Sequence, residues 1–153
     1  MLLYAVPEVD AENRLRRTRA TFVDITRRKQ AEAALQESEA QIRLLLNSAG
    51  EALYGADLQG TCTFCNPSCL RLLGYDDEQD LLGKNTHDMI HHSHPNGEPY
   101  FVEECRIYQA FQEGQGVHVD DEVFGRKDGT SFPVEYRSHP IRQGDELVGC
   151  VVT

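Results

Sequence analysis

The chain has no apolar run near the roughly 20 residues that a membrane helix needs. Its apolar start, MLLYAV, is too short for the core of an export signal and runs straight into Glu8, Asp10 and Glu12. Nothing is expected to export or anchor this segment, although a longer parent protein could carry a span elsewhere. Positive charge is also scarce: 15 Lys/Arg against 25 Asp/Glu leave a formal charge of -10. That balance argues against nucleic acid or direct contact with an anionic membrane. Residues 1–30 invert it, with seven Lys/Arg to four Asp/Glu, but the cluster RLRRTR (14–19) lies beside acidic residues and reads as a solvated strand or turn face. Catalytic signatures are missing as well. There is no G-x-S-x-G nucleophile turn, no Gly-rich phosphate loop after a strand and no kinase core. Glu103-Glu104 and Asp120-Asp121-Glu122 are adjacent carboxylates whose side chains would point apart, so they are expected to be solvated faces. The segment therefore reads as non-enzymatic. Five cysteines without an export signal suggest reduced thiols in a cytoplasmic setting.

What remains is a chain of 153 residues, 40% hydrophobic and 26% charged, enough for one globular domain and an appendage. Residues 2–6 and 19–24 are β-prone runs around the polar stretch PEVDAEN, a plausible hairpin. From Arg27 to Ser48 there is no Gly or Pro, and strong helix formers dominate. Ala31, Leu35, Ser38, Ile42, Leu45 and Ala49 recur at steps of four and three. This heptad seam favours a dimeric coiled coil through residues 31–49 over a lone amphipathic helix.

The globular part reads from about residue 49 to 153. EALYGADLQGTCTFCNP gives two strands around a turn at 58–60. Asn66-Pro67 then caps a helix that ends at Gly74. Asp76 opens a short helical turn with Gln79 in the capping-box position, closed by Gly83. VEECRIYQAFQEG reads as a helix with Cys105, Tyr108 and Phe111 on one side. Three strands follow, VHVDDEVFGR, TSFPVEYRSHPI and ELVGCVVT, with tight turns at 127–129 and 143–145. Strands, a helical excursion and an antiparallel meander make an α+β domain, one sheet covered on one face by short helices.

This order, and the words ALYGADLQGTCTFCNPSCLRLLGY, DDEQDLLGK, EVFGRKDGTSFPVEYRSHPI and ELVGCVVT, resemble a PAS domain over residues 41–153. The resemblance implies a five-stranded antiparallel sheet, and a sensory or dimerisation module of a multidomain signalling protein such as a histidine kinase or diguanylate cyclase. Catalytic output would then lie in neighbouring domains. Upstream, Phe22-Val23-Asp24-Ile25-Thr26 followed by Arg-Arg-Lys resembles the end of a preceding PAS module running into its signalling helix. Residues 1–26 are thus the end of such a module or a hairpin extension, and 27–48 the linker helix.

Two constellations could carry chemistry. Cys62, Cys65 and Cys69 spell C-x2-C-x3-C, but an odd separation on one strand should set Cys62 and Cys65 on opposite sheet faces. An iron–sulfur cluster or redox dithiol is therefore disfavoured. The stretch THDMIHHSHPNGEPYFVEEC (86–105) holds four of the six histidines. His87 and His91 would share a helix face, and the turn after His94 would return the chain towards Cys105. His87, His91, His94 and Cys105 form a sensible zinc set. A single imidazole could instead be the axial ligand of a haem, as in some PAS domains, or a pH-sensitive switch. The alternative is a polar loop in which Asp88 or a backbone carbonyl orients His87, Cys105 is core, and His92 and His94 meet water. The pocket of a small-molecule ligand is expected among Phe64, His87, Ile90, His91, Cys105, Tyr108, Phe111, Val134 and Tyr136. No particular ligand or cofactor is named by these residues.

Overall fold

The computed structural model describes residues 2–12 and 14–153, which form two compact units, 1–44 and 45–153. In the first unit, β1 (Leu2–Val9) and β2 (Leu15–Val23) pair as an antiparallel hairpin. Both strands run further than the β-prone words at 2–6 and 19–24. Pro7 is tolerated because a two-stranded ribbon has a free edge on which its missing N–H is not needed. The Asp10 carboxylate closes the turn, accepting from the backbone N–H groups of Glu12 and Arg14.

Helix α1 spans Thr26–Ser48, one residue longer at its start than expected. The Asp24 carboxylate accepts from the Thr26 N–H at 2.8 Å and so holds the helix start. None of its residues is buried, and Leu35, Ile42, Leu44 and Leu45 are exposed. Among the described residues no helix is long and apolar enough to cross a membrane.

The second unit is built on a five-stranded antiparallel sheet in the order β4-β3-β7-β6-β5. Its strands are β3 (Tyr54–Asp57), β4 (Cys62–Cys65), β5 (Val117–Gly125), β6 (Ser131–Gln143) and β7 (Glu146–Val152). Between β4 and β5 lie α2 (Pro67–Leu73), a 3-10 turn (Glu78–Asp80), α3 (Thr86–Ile90) and α4 (Arg106–Gln112). The 3-10 turn is capped by Asp77, whose carboxylate accepts from the Gln79 N–H, rather than by Asp76. Helix α4 begins at Arg106, because the chain before Cys105 turns rather than coils.

One face of the sheet is buried beneath these helices. Tyr54, Ala56, Val119, Phe124, Tyr136, Cys150 and Val152 belong to that core together with Leu73, Ile90, Ile107 and Phe111 from the helical side. Two β-bulges decide which polar groups join them. In β3–β4 the register slips so that Tyr54 faces Cys65 and Ala56 faces Cys62, with Gly55 opposite Phe64 between them. Both cysteines are thereby turned inward and buried. The opposed arrangement expected from their odd spacing does not occur. In β5 the register slips between Val119 and Glu122. Asp120 and Asp121 both stay exposed while Glu122 is brought onto the same buried face as Val119 and Phe124.

Asn66 ties the start of this domain together. Its side-chain oxygen accepts from the N–H of Cys69, capping α2, and from that of Leu53. Its amide NH2 donates to the carbonyls of Leu46 and Glu51, so the last turn of α1 is bonded to the first turn of α2. The Ser68 hydroxyl adds a bond to the Ala49 carbonyl.

Candidate functional site

Glu122 stands at the centre of the buried polar groups. Its Oε2 accepts from His91 Nε2 and from the Tyr136 hydroxyl, each at 2.7 Å. Its Oε1 faces the Tyr100 hydroxyl at 2.9 Å and Arg106 Nε at 3.3 Å. The single Tyr100 proton serves either this oxygen or the Glu104 carbonyl at 3.0 Å. Burial opposes ionisation of Glu122, but the hydrogen bonds from His91 and Tyr136, the charge His91 can carry and the Tyr100 bond outweigh it. The carboxyl pKa falls to about 2. An ionised carboxylate only accepts, so the proton in the His91–Glu122 bond sits on Nε2 of His91. In the neutral ring this leaves Nδ1 with a lone pair, 3.4 Å from Cys105 Sγ.

His87, one helical turn earlier, follows the same logic. Its Nε2 lies 2.8 Å from the Tyr100 carbonyl, which can only accept, so Nε2 carries the proton. The backbone carbonyl, not Asp88, orients the ring. Nδ1 is buried and finds no hydrogen-bond partner. Burial lowers the His87 pKa, with the Tyr100 carbonyl acting against it. Burial likewise raises that of the Cys105 thiol, with two backbone N–H groups at the start of α4 partly offsetting it. Asn85 positions this turn, accepting from the N–H groups of His87 and Asp88. His91 terminates α3 as its C-cap, so the two imidazoles approach edge to face with ring centres 5.7 Å apart.

Two cavities flank this network. A small one of about 30 Å³ is lined by His87, His91, Cys105, Tyr108, Phe111 and Cys150, among others. It has room for about one water-sized group. A larger one, about 330 Å³, is lined by Tyr54, Cys69, Leu73, Ile90, Phe124, Val134, Tyr136 and Val152, with Glu51, Glu135 and Arg137 at exposed positions. It lies beside the stretch of β6 from Ser131 to Tyr136, which pairs only with β5. Its size falls within the range of small-molecule pockets.

Most of the expected pocket residues line one cavity or the other. His87, His91, Cys105, Tyr108 and Phe111 border the small one; Ile90, Val134 and Tyr136 border the large one. Phe64 does not belong with them. It stands opposite Gly55, out of step with the adjacent buried Cys65, and its ring fills the space a Gly55 side chain would need. His94 is also set apart from the expected metal ligands. It packs against the Tyr100 ring and stands 3.5 Å from the exposed carboxylate of Glu104. His92 is exposed and bonds Ser93. The axial haem ligand does not fit either: the imidazoles border a cavity that holds one small group, not a porphyrin.

The three cysteines of C-x2-C-x3-C are all buried near one another, and burial pushes the thiols of Cys62 and Cys69 up to about 12. Burial favours the neutral thiol at all three. Glu122, Tyr100 and Arg106 are not among the residues expected from the sequence, and Glu122, expected on a solvated face, is buried. One signal was present: Val119 and Phe124 are separated by five. An uninterrupted strand would set these two large apolar residues on opposite faces, and a bulge between them brings both inside.

An antiparallel five-stranded sheet with short helices over one face, enclosing buried polar groups and a cavity, is the layout of a sensory α+β module. The family model described as "PAS fold" matches residues 40–153, and the chain belongs to the PAS family. Solved structures agree on the fold. The PAS domain of an HTR-like protein from Haloarcula marismortui is 19% identical, with 81% of this chain and 96% of that one covered and a TM-score of 0.58. The PAS domain of nitrogen regulation protein NR(II) from Vibrio parahaemolyticus is 20% identical, covering 72% and 93%, with a TM-score of 0.55. A Rhodobacter sphaeroides LOV protein is 22% identical, covering 76% and 65%, with a TM-score of 0.59. No curated protein matches the chain.

Proposed function

We propose that this PAS domain is a cytoplasmic sensory module of a multidomain signalling protein. It takes a small ligand against the inner face of its sheet and passes the bound state along α1 to neighbouring domains. The observation that carries this reading is the 330 Å³ cavity, walled by Tyr54, Leu73, Ile90, Phe124, Val134 and Tyr136. Apolar walls with a few polar groups at the mouth suit a small, largely apolar ligand. The Asn66 bonds to Leu46, Glu51 and Leu53 support a mechanical link, because a shift of α2 on ligand binding pulls on the end of α1. Ligand then changes output by its unequal affinity for two positions of that helix. The exposed Leu35, Ile42 and Leu45 on the heptad seam support a parallel homodimer through residues 31–49, with ligand altering the fit of the seam.

Native mass spectrometry of the purified protein tests this. A discrete small-molecule adduct that disappears in Val134→Phe, together with a dimer by light scattering, is the expected result. Absence of any adduct, with melting unmoved by a broad small-molecule screen, would instead favour a ligand-free dimerisation spacer.

A further inference from the structure

We propose that His87, His91 and Cys105 form a binding site for a borderline-soft transition metal ion, zinc being the best fit, with a fourth position open to the small cavity. This site is separate from the apolar pocket and does not depend on it. Among the described residues these three are the group of metal-ligating side chains that converges, with one ligand atom of each lying within 4.8 Å of the others. His91 Nδ1 and Cys105 Sγ are already 3.4 Å apart. Zn–N near 2.0–2.1 Å and Zn–S near 2.3 Å set tetrahedral edges of roughly 3.3–3.6 Å, so that pair needs almost no movement.

The hydrogen bonds around the cluster are those a metal centre uses. A metal-bound imidazole commonly donates its other N–H to a carboxylate or backbone carbonyl, which selects the tautomer and fixes the ring. Here His91 Nε2 donates to Glu122 and His87 Nε2 to the Tyr100 carbonyl. In its neutral form each ring then carries a lone pair on Nδ1, the form a metal ion binds. For His91 that lone pair faces the Cys105 thiol, and for His87 it is buried with no partner. A buried imidazole with an orphaned acceptor, converging with a thiol and a second imidazole so that one ligand atom of each lies within 4.8 Å of the others, is what an unfilled His2Cys site presents.

Loading is a simple exchange. The Cys105 S–H bond breaks, its proton leaves to solvent, and the sulfur lone pair binds the ion while His91 and His87 donate through nitrogen. No electron is transferred. A mixed thiolate–imidazole set suits zinc, and cobalt(II) can replace it as a coloured reporter. The cavity of about 30 Å³ leaves room for a water or another small ligand on the metal. Three protein ligands with one open position resemble a reactive or sensing centre more than a closed structural one.

The experiment is a cobalt(II) titration of tag-free protein stripped with a chelator. One equivalent per chain, a thiolate-to-cobalt charge-transfer band, strong tetrahedral bands in the visible and their loss on adding zinc are expected. Cys105→Ser should abolish the charge-transfer band. His87→Gln should weaken binding by at least about tenfold, and His94→Ala should change nothing. Should Cys105→Ser fail to fold, Glu122→Gln provides a second check through the His91 ring. It should keep the charge-transfer band while loosening the ion by about 10–100-fold. No cobalt bound, a weak octahedral spectrum, or a thiolate band that survives in Cys105→Ser would each overturn the proposal; the last would move the ion to Cys62, Cys65 and Cys69.

Discussion

The two cavities beneath the sheet are neighbours made by opposite means. Tyr54 borders both, yet the large one is walled chiefly by Leu73, Ile90, Phe124, Val134 and Val152, whereas the small one is bounded by His87, His91 and Cys105. Apolar walls are non-directional, so the large pocket can adapt to the shape of what it holds. The polar cluster is directional, with Glu122 receiving up to four donors and two imidazoles held in defined tautomers. One fold thus holds an adaptable apolar cavity and a rigid polar cluster side by side, and substitutions should separate them.

The largest effect is expected from Glu122→Ala, which leaves His91, Tyr100, Tyr136 and Arg106 without their shared acceptor. Loss of about 3–5 kcal/mol in urea unfolding is predicted. A loss below about 1 kcal/mol would mean that these side chains do not depend on Glu122 as a shared acceptor. The same carboxylate sets an acid limb in the metal-free protein. Its folded pKa near 2 lies below the ordinary value of about 4.3. The stability it contributes is therefore complete above about pH 4.3 and is lost as pH falls towards 2. Glu122→Gln should flatten that limb in a pH series of melting curves. An unchanged limb would place the acid sensitivity elsewhere.

Asn66→Ala comes next, because it removes the α2 cap and the bonds to Leu46, Glu51 and Leu53 together. A cost of about 2 kcal/mol is expected by chemical denaturation, with larger relative loss of protection at residues 45–53 in hydrogen exchange. Val134→Phe fills the apolar pocket. It should change stability by no more than about 1 kcal/mol and abolish small-molecule binding, while cobalt binding stays as in the parent. Loss of both functions together would mean that the cavities are one site. The smallest effect belongs to His94→Ala, expected to leave unfolding and cobalt titration unchanged.

Much of the fold was legible because its signals are local. Asn66-Pro67 and Gly74 bound α2 as their chemistry requires; Gly74 takes the left-handed conformation at φ 77°. The strand words of β5, β6 and β7 and the turns between them fall where alternation and glycine put them. The site was less legible because it depends on register. Alternation alone sent Glu122 to solvent and separated Cys62 from Cys65, and a one-residue bulge in each strand pair reversed both. Phe64 was expected inside, but its neighbour Cys65 takes the inward position. His87, His91 and Cys105 were identifiable from spacing. Their tautomers were not, because Glu122 and the Tyr100 carbonyl that set them are distant in sequence or belong to the backbone. His94 looked equivalent to the others by residue type, and only the path of the loop removes it.

The most direct measurement is diffraction at the zinc absorption edge from tag-free crystals grown with one equivalent of zinc. One anomalous peak bounded by His91 Nδ1, Cys105 Sγ and the His87 ring is expected, with Glu122 still on His91 Nε2. A peak on the loop of His92 and His94, or none with Cys105 Sγ still 3.4 Å from His91, would contradict it.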